Sequence, residues 1–167
     1  ALDKYGSDKG NMRHKYFKVY GSILDAARES RLVLEIGIGA ESIMHYPPGQ
    51  GLRAWRDCFN QAEIIGFDID PAASIEGEDR IFTYTPLDST DATSVAKMLD
   101  FMKANERKLQ NSSGAGLADL LIDDGAHDPV LQGKTLNAMW NVVKDGGLYV
   151  IEDLPWKFGW DGRPGGP

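Results

Sequence analysis

Five short apolar runs, separated by amphipathic stretches, set the pattern of this chain. Most of them end in glycine or acidic residues, and runs of this length are typical of strands buried in a parallel sheet. Strands that alternate with helices favour right-handed crossovers, so the pattern predicts a doubly wound α/β fold. The predicted strands cover residues 31–38, 63–70, 80–84, 118–123 and 148–152.

Between these runs, apolar residues recur at helical spacing. The helix after the fourth strand begins with Asp128 as its N-cap and Pro129 at its first position, and Gly146-Gly147 is predicted to end it. Trp55 and Trp140 lie on helical faces and are predicted to be core residues. The predicted helices cover residues 14–30, 52–60, 93–108 and about 129–144, with Ser89 or Thr90 as the cap of the third.

Length and composition narrow the picture further. The 167 residues predict one domain, 1–167, with an irregular N-terminal arm over 1–13 and an irregular tail over 154–167. No apolar run approaches the roughly 20 residues of a membrane span, and Cys58 as the single cysteine excludes an internal disulfide, so we expect a cytoplasmic protein without a membrane partner. A net charge of -7 disfavours binding to nucleic acid.

Two of the predicted strands end in paired acidic residues. Asp123-Asp124 follow the fourth strand and Glu152-Asp153 end the fifth. Neighbouring strands lie about 4.8 Å apart, so Asp124, Glu152 and Asp153 would repel one another unless a cation joined them. Carboxylate oxygens favour Mg²⁺, and His127 would then be the general base for a substrate hydroxyl. Alternatively, Asp123 and Asp124 cap the following helix and His127 is an ordinary loop residue.

A second candidate site lies at the ends of the first three strands. Gly37 and Gly39 allow a ligand to approach the backbone closely, although the third glycine of a dinucleotide loop is missing. Glu35 and Asp68 suit an amino-acid ammonium group and a ribose diol. Asp88 suits an adenine amino group or, equally, a helix cap. The alternative is a strand-to-loop turn without function.

Six motifs together resemble the metal-dependent class I S-adenosylmethionine O-methyltransferases that act on sugars of macrolide antibiotics, the macrocin and mycinamicin type. The resemblance implies the strand order 3-2-1-4-5, Mg²⁺ bound by Asp124, Glu152 and Asp153, and His127 as base. It also implies S-adenosylmethionine held by Glu35, Gly37 and Asp68, with Asp88 near the adenine. Gly39 and Asp123 are further candidate cofactor residues, although Asp123 alternatively only orients its neighbours. The motifs are YGSDKG (5–10), VLEIGIG (33–39), GLRAWRDCF (51–59), IGFDID (65–70), IDDGAH (122–127) and GLYVIED (147–153).

The sequence departs from this family in two places. Ala40-Glu41 stand where many methyltransferases keep a further small residue. Family members continue past the fifth strand with a helix and an antiparallel strand pair, whereas this chain ends about 14 residues after Asp153, so that pair is expected to be lacking. The fifth strand would then lie at an edge unless another element or another copy of the chain covers it, as in a homo-oligomer.

The expected function is transfer of a methyl group from S-adenosylmethionine to a hydroxyl of a small-molecule acceptor, a sugar or polyketide-like compound, assisted by Mg²⁺. Two other functions stay open. The first is a noncatalytic S-adenosylmethionine-binding module, and the second is a nicotinamide-dependent oxidoreductase on a similar sheet. The incomplete glycine pattern and the acidic cluster argue against the oxidoreductase.

Overall fold

A computed structural model describes residues 2–7, 17–39, 47–104 and 118–154. They form a five-stranded parallel sheet in the order β3-β2-β1-β4-β5, which confirms the predicted fold class and strand order. The strands are β1 (Leu32–Ile36), β2 (Glu63–Phe67), β3 (Ile81–Tyr84), β4 (Ala118–Asp123) and β5 (Val143–Ile151). The helices are α1 (Phe17–Ala26), α2 (Gln50–Cys58), α3 (Ala92–Ala104) and α4 (Pro129–Met139), with short 3-10 helices at Leu2–Tyr5, Pro71–Ala73 and Trp140–Val142.

The core lies on both faces of the sheet. Every residue of β1, β2 and β4 is buried. Successive strand residues point to opposite faces, so Val33 packs in one apolar cluster with Trp55 and Leu34 packs in the other with Met98. This double burial explains why the strands have continuous apolar sequences.

The strand register brings the carboxyl ends together. Ile36 of β1 lies beside Phe67 of β2 on one side and beside Asp123 of β4 on the other, and Asp123 pairs with Ile151 of β5. The polar residues that follow these four positions therefore emerge at one edge of the sheet.

The largest difference from the predicted elements lies before β5. The helix predicted to reach about residue 144 ends at Met139, and β5 already begins at Val143. Gly146, with a φ of +78°, lies inside this strand, where the pairing shifts between Ala118 and Leu120 of β4. The two glycines thus form a bulge rather than a helix end, because glycine adopts the left-handed backbone that a bulge needs.

Other boundaries differ by a few residues. The predicted arm over 1–13 contains a 3-10 helix at Leu2–Tyr5, and α2 begins at Gln50 instead of 52. Trp55 is fully buried as predicted, whereas Trp140 is 60% exposed, so its assignment to the core is wrong. Residues 155–167 lie outside the described part, and the expected lack of an antiparallel strand pair stays a prediction. Among the described helices, none has the length and apolar character to cross a membrane.

Candidate active site

A cavity of about 560 Å³ opens at the carboxyl edge of the sheet. The residues that follow β1, β2, β3 and β4 line it, and the N-terminal Ser7 and the first turn of α2 complete the wall. Ligands of open α/β sheets bind at this edge, and the volume suits a nucleoside-sized molecule.

The turn after β1 touches the turn after β4. Gly37 has a φ of +81°, and a Cβ atom there would lie 2.1 Å from the carbonyl oxygen of Asp124. The Gly37 N–H donates to the carbonyl of Phe67 at 2.8 Å, which fixes the turn on the β2 side as well. Only glycine fits this contact, because it has no side chain and tolerates the left-handed backbone.

Asp68, which follows β2, organises the same turn. Its Oδ2 accepts hydrogen bonds from the N–H groups of Ile38 (3.0 Å) and Gly39 (3.2 Å), and its Oδ1 accepts one from the N–H of Asp70 (2.9 Å). Asp70 in turn caps the following 3-10 helix. Asp68 therefore shapes the glycine turn and also lines the cavity.

Glu35 is the acidic residue on the other side of that turn. It is buried at 1% exposure, yet its carboxylate lines the cavity. A Cβ atom at Gly51 would lie 2.4 Å from Glu35 Oε1, so the carboxylate lies directly against the first turn of α2. The N-terminal end of a helix favours negative charge, which explains how this site holds a buried carboxylate.

Asp88, after β3, lines the cavity and orders its own turn. Its Oδ1 accepts hydrogen bonds from the hydroxyl (2.7 Å) and the N–H (2.9 Å) of Thr90, and these bonds lower the pKa of Asp88. The capping interaction at α3 comes from Asp91, whose Oδ2 accepts from the Ser94 N–H at 2.9 Å. The predicted caps Ser89 and Thr90 are therefore wrong.

Asp123, the last residue of β4, is not among the described residues that line the cavity. It is 1% exposed, its Oδ1 accepts from the Gly125 N–H at 3.3 Å, and its Oδ2 accepts from the Tyr149 hydroxyl at 3.4 Å. Burial raises the pKa of Asp123, and burial beside this carboxylate raises that of Tyr149. The contacts indicate that Asp123 orients the turn that carries Asp124.

Asp124, His127 and Asp153 come together at the mouth of the cavity. The Nε2 atom of His127 lies 3.0 Å from Asp124 Oδ1 and 3.9 Å from Asp153 Oδ2. Each residue offers one ligand atom, and these atoms all lie within 4.8 Å of one another. The hydrogen bond to Asp124 and the charges of both carboxylates raise the pKa of His127 above 6.5. The two carboxylates offer oxygen ligands of the kind that a divalent cation prefers, and the imidazole lies beside them, where it can ligate the cation or accept a proton.

The backbone at this group is strained. His127 has a φ of +49° and Asp153 a φ of +47°, left-handed values that side-chain-bearing residues seldom adopt. Such conformations cost about 1–3 kcal/mol each and are concentrated at functional sites. Both residues belong to the group of closely spaced ligand atoms around Asp124.

Glu152, predicted as a third carboxylate ligand, lies beside this group but is buried at 5% exposure. The Tyr20 hydroxyl of α1 donates to its Oε1, its N–H donates to the carbonyl of Asp123 at 2.9 Å, and its carbonyl accepts from Gln132 Nε2 at 3.0 Å. The set of closely spaced ligand atoms contains His127 rather than Glu152. A role for Glu152 in metal binding stays a prediction.

The alternative that Asp123 and Asp124 cap the following helix is wrong. Asp128 caps α4, since its Oδ1 accepts from the N–H groups of Val130 (2.9 Å) and Leu131 (3.1 Å). The sequence predicted this cap and the position of Pro129 correctly. Asp124 is thereby left to face the cavity.

Four residues at the site were missed by the sequence interpretation. Ser7 and Gln50 line the cavity, while Tyr20 and Gln132 hold Glu152. For Tyr20 the helical spacing indicated only a core position. For Ser7 the YGSDKG motif was a signal, but no role could be attached to it.

The chain is similar in sequence to several known proteins. No protein-family model matches the chain. It is 32% identical over 155 residues to 8-demethyl-8-(2-methoxy-alpha-L-rhamnosyl)-tetracenomycin-C 3'-O-methyltransferase of Streptomyces olivaceus, covering 90% of this chain and 35% of the relative. It is 34% identical over 133 residues to demethylmacrocin O-methyltransferase of Streptomyces fradiae, covering 80% of this chain and 29% of the relative.

The chain is also similar to a solved structure. The MycE methyltransferase from the mycinamycin biosynthetic pathway, in complex with Mg, SAH and mycinamycin VI, superposes with a TM-score of 0.75 at 29% identity. The match covers 96% of this chain and 39% of MycE. The chain thus spans about a third of the length of the curated relatives that it matches. By sequence and by fold, it is a relative of the macrocin- and mycinamicin-type sugar O-methyltransferases, as its motifs predict.

Proposed function

We propose that this chain belongs to an S-adenosylmethionine-dependent O-methyltransferase that acts on a hydroxyl of a sugar or polyketide-like small molecule. The observation that carries the proposal is the meeting of Asp124, His127 and Asp153 at the mouth of the cavity. A cation-binding group, a base and a nucleoside-sized cavity then share one edge of the sheet. The relatives named above are O-methyltransferases, and the MycE structure contains Mg and SAH.

The residues for the cofactor are those that line the cavity. Glu35 would bind the ammonium group of S-adenosylmethionine, Asp68 the ribose hydroxyls and Asp88 the adenine amino group. Gly37 and Gly39 have no side chain in the turn after β1, where the cofactor would approach the backbone. Asp123 would act indirectly, through the turn that it orders.

The residues for the metal are Asp124 and Asp153, with Glu152 as the further predicted ligand. Mg²⁺ prefers carboxylate oxygens and keeps part of its water shell, which leaves room for an acceptor oxygen. When bound, S-adenosylmethionine supplies the methyl group and Mg²⁺ supplies positive charge beside the acceptor oxygen.

His127 is the proposed general base. The imidazole of His127 would take the proton of the acceptor hydroxyl, and Asp124 Oδ1, 3.0 Å from Nε2, would stabilise the imidazolium that forms. The neighbouring carboxylates make the imidazole a stronger base, consistent with its raised pKa. The cavity would align the acceptor oxygen with the methyl group that the cofactor supplies, and this alignment would lower the barrier.

The test separates binding from turnover. In the His127→Ala variant we expect SAH binding, measured by calorimetry, to stay within about twofold, while methyl transfer falls by at least about 100-fold. Asn137→Ala, at an exposed position of α4, is the matched control and should leave both unchanged. Methyl transfer at the wild-type rate in His127→Ala would contradict the assignment of the base.

The same measurements distinguish the other functions. Binding of SAH and Mg²⁺ without transfer to any member of a panel of sugar-bearing acceptors would favour a noncatalytic binding module. Binding of NADH in place of SAH would favour a nicotinamide-dependent oxidoreductase.

A further inference from the structure

Tyr20 is a buried tyrosine that the proposed chemistry does not use. It lies on α1 and is 2% exposed, and its ring packs against Trp55 of α2 with ring centroids 4.8 Å apart. Its hydroxyl reaches across the carboxyl edge of the sheet and donates to Glu152 Oε1. A buried hydroxyl needs a partner, and here the partner is a residue 132 positions away in the sequence.

The hydroxyl lies among the acidic residues of three strand ends. Besides Glu152, the carboxylates of Glu35 and Asp124 are close enough to act on Tyr20 electrostatically. Glu35 is the second-last residue of β1, and Asp124 comes directly after β4. Tyr20 is therefore placed between the residues proposed for the cofactor and those proposed for the metal.

The main chain of Glu152 is fixed independently of Tyr20. Its N–H donates to the carbonyl of Asp123 at 2.9 Å, and its carbonyl accepts from Gln132 Nε2 at 3.0 Å. Gln132 is itself buried at 3% exposure on α4. Because both peptide groups next to Glu152 are held, its remaining freedom lies in its side-chain torsions. The hydrogen bond from Tyr20 restricts these torsions.

We propose that Tyr20 is a positioning residue that holds the Glu152 carboxylate in the orientation needed for a divalent cation between the ends of β4 and β5. The inference rests on the proposed function, because the cation site is part of it. A carboxylate that is already oriented loses no side-chain freedom when the ion binds, and outer-shell hydrogen bonds of this kind typically change metal affinity 10–100-fold.

The first experiment is the Tyr20→Phe variant, which removes the hydroxyl and keeps the ring that packs on Trp55. Mn²⁺ is titrated into the protein without cofactor or acceptor, and free Mn²⁺ is followed by EPR. We expect the dissociation constant to rise about tenfold. Tyr84→Phe, the same change on β3 at the far edge of the sheet, is the matched control and should bind Mn²⁺ like the wild type. An unchanged dissociation constant in Tyr20→Phe overturns the inference.

A second experiment separates positioning from a general structural effect. If Tyr20 acts through Glu152, the double variant Tyr20→Phe/Glu152→Gln should bind Mn²⁺ no more weakly than Glu152→Gln alone. The inference is overturned if the losses of Mn²⁺ affinity in the two single variants add up in the double variant. This holds even if thermal unfolding in EDTA shows that Tyr20→Phe destabilises the protein.

Asp124→Asn distinguishes this inference from the proposed function. Weakened Mn²⁺ binding in Asp124→Asn with none in Tyr20→Phe overturns the role of Tyr20 alone. Absent Mn²⁺ binding in the wild type overturns the cation site, and the role of Tyr20 with it.

Discussion

Gly37 leaves no room for a side chain beside the Asp124 carbonyl. We expect Gly37→Ala to reduce the free energy of unfolding by about 2 kcal/mol or more, since a Cβ atom would lie 2.1 Å from that oxygen in addition to the cost of a left-handed backbone. Gly77→Ala is the matched control. Its φ of +75° is similar, but its Cβ would meet no atom within 4 Å, so only the backbone cost of about 1 kcal/mol applies. Urea unfolding measures both, and equal losses would contradict a role for the contact.

Gly37→Ala should also weaken SAH binding. The added methyl group separates the turn after β1 from the turn after β4, and both line the cavity. Calorimetry should show a loss of at least about tenfold in Gly37→Ala and wild-type affinity in Gly77→Ala. Wild-type affinity in both variants would show that the cavity tolerates the separation.

At the level of single residues, sequence and structure agree where the location of a residue follows from its position along a strand. Asp124 and His127 were predicted to lie at the sheet edge because an apolar run ends in polar residues, and both line the cavity. Tyr20 and Gln132 could not be found, since their partner Glu152 is 132 and 20 positions away and no local pattern encodes such contacts. Asp123 was predicted as a cofactor residue, and among the described residues its side chain accepts hydrogen bonds from Gly125 and Tyr149.

Among the elements, Asp119 joins three strands at the opposite edge of the sheet. Its Oδ2 accepts from the N–H groups of Arg31 (2.7 Å) and Leu32 (2.8 Å) at the start of β1, and the Lys144 ammonium of β5 contacts its Oδ1. Burial favours the neutral acid, but Lys144 and the two N–H donors outweigh it and lower the pKa of Asp119. The ionised form therefore stabilises the folded protein.

This interaction predicts a pH-dependent stability. A carboxyl whose pKa is lowered on folding contributes stability above its unfolded pKa, here 3.8, and loses it as the pH falls through the folded pKa. Asp119→Asn should cost about 1–3 kcal/mol at neutral pH, and the difference from wild type should shrink below pH 3.8. Asp79→Asn, at an 89% exposed side chain, is the control for a general charge effect. Urea unfolding across this range is the measurement, and a constant difference would argue against the ionised form.

The elements were predictable as far as local rules decide them. The strands, the Asp128 cap and the positions of the helices follow from periodicity and capping. The end of α4 does not, because Gly146-Gly147 suit a helix end and a bulge equally, and pairing of β5 with β4 decides between them. Trp140 shows the same limit, since helical spacing indicated a core position but the side chain stacks on Tyr149 and stays exposed.

On the scale of the whole molecule, residues 2–7 at the N-terminus pack against the fold and bring Ser7 to the cavity. The Tyr5 hydroxyl donates to Asp57 at 2.9 Å and accepts from Arg56 at 3.2 Å, which ties the 3-10 helix to α2. The chain then turns at Gly6 and buries Ser7 in the cavity wall. Residues from Ser7 to the turn before α4 thus line one cavity. A ligand bound there would contact most of the fold at once.

A ligand that binds this cavity should therefore stabilise the molecule as a unit. SAH at a hundredfold excess over its dissociation constant should raise the free energy of unfolding by about 2.7 kcal/mol, which corresponds to a rise of roughly 5–10 °C in the unfolding midpoint. Glu35→Gln should lose most of this shift because it removes the charge proposed for the ammonium group, while Asn137→Ala should keep it. Differential scanning calorimetry measures the shift. Stabilisation by NADH without stabilisation by SAH would move the assignment to an oxidoreductase, because both ligands would compete for the same edge of the sheet.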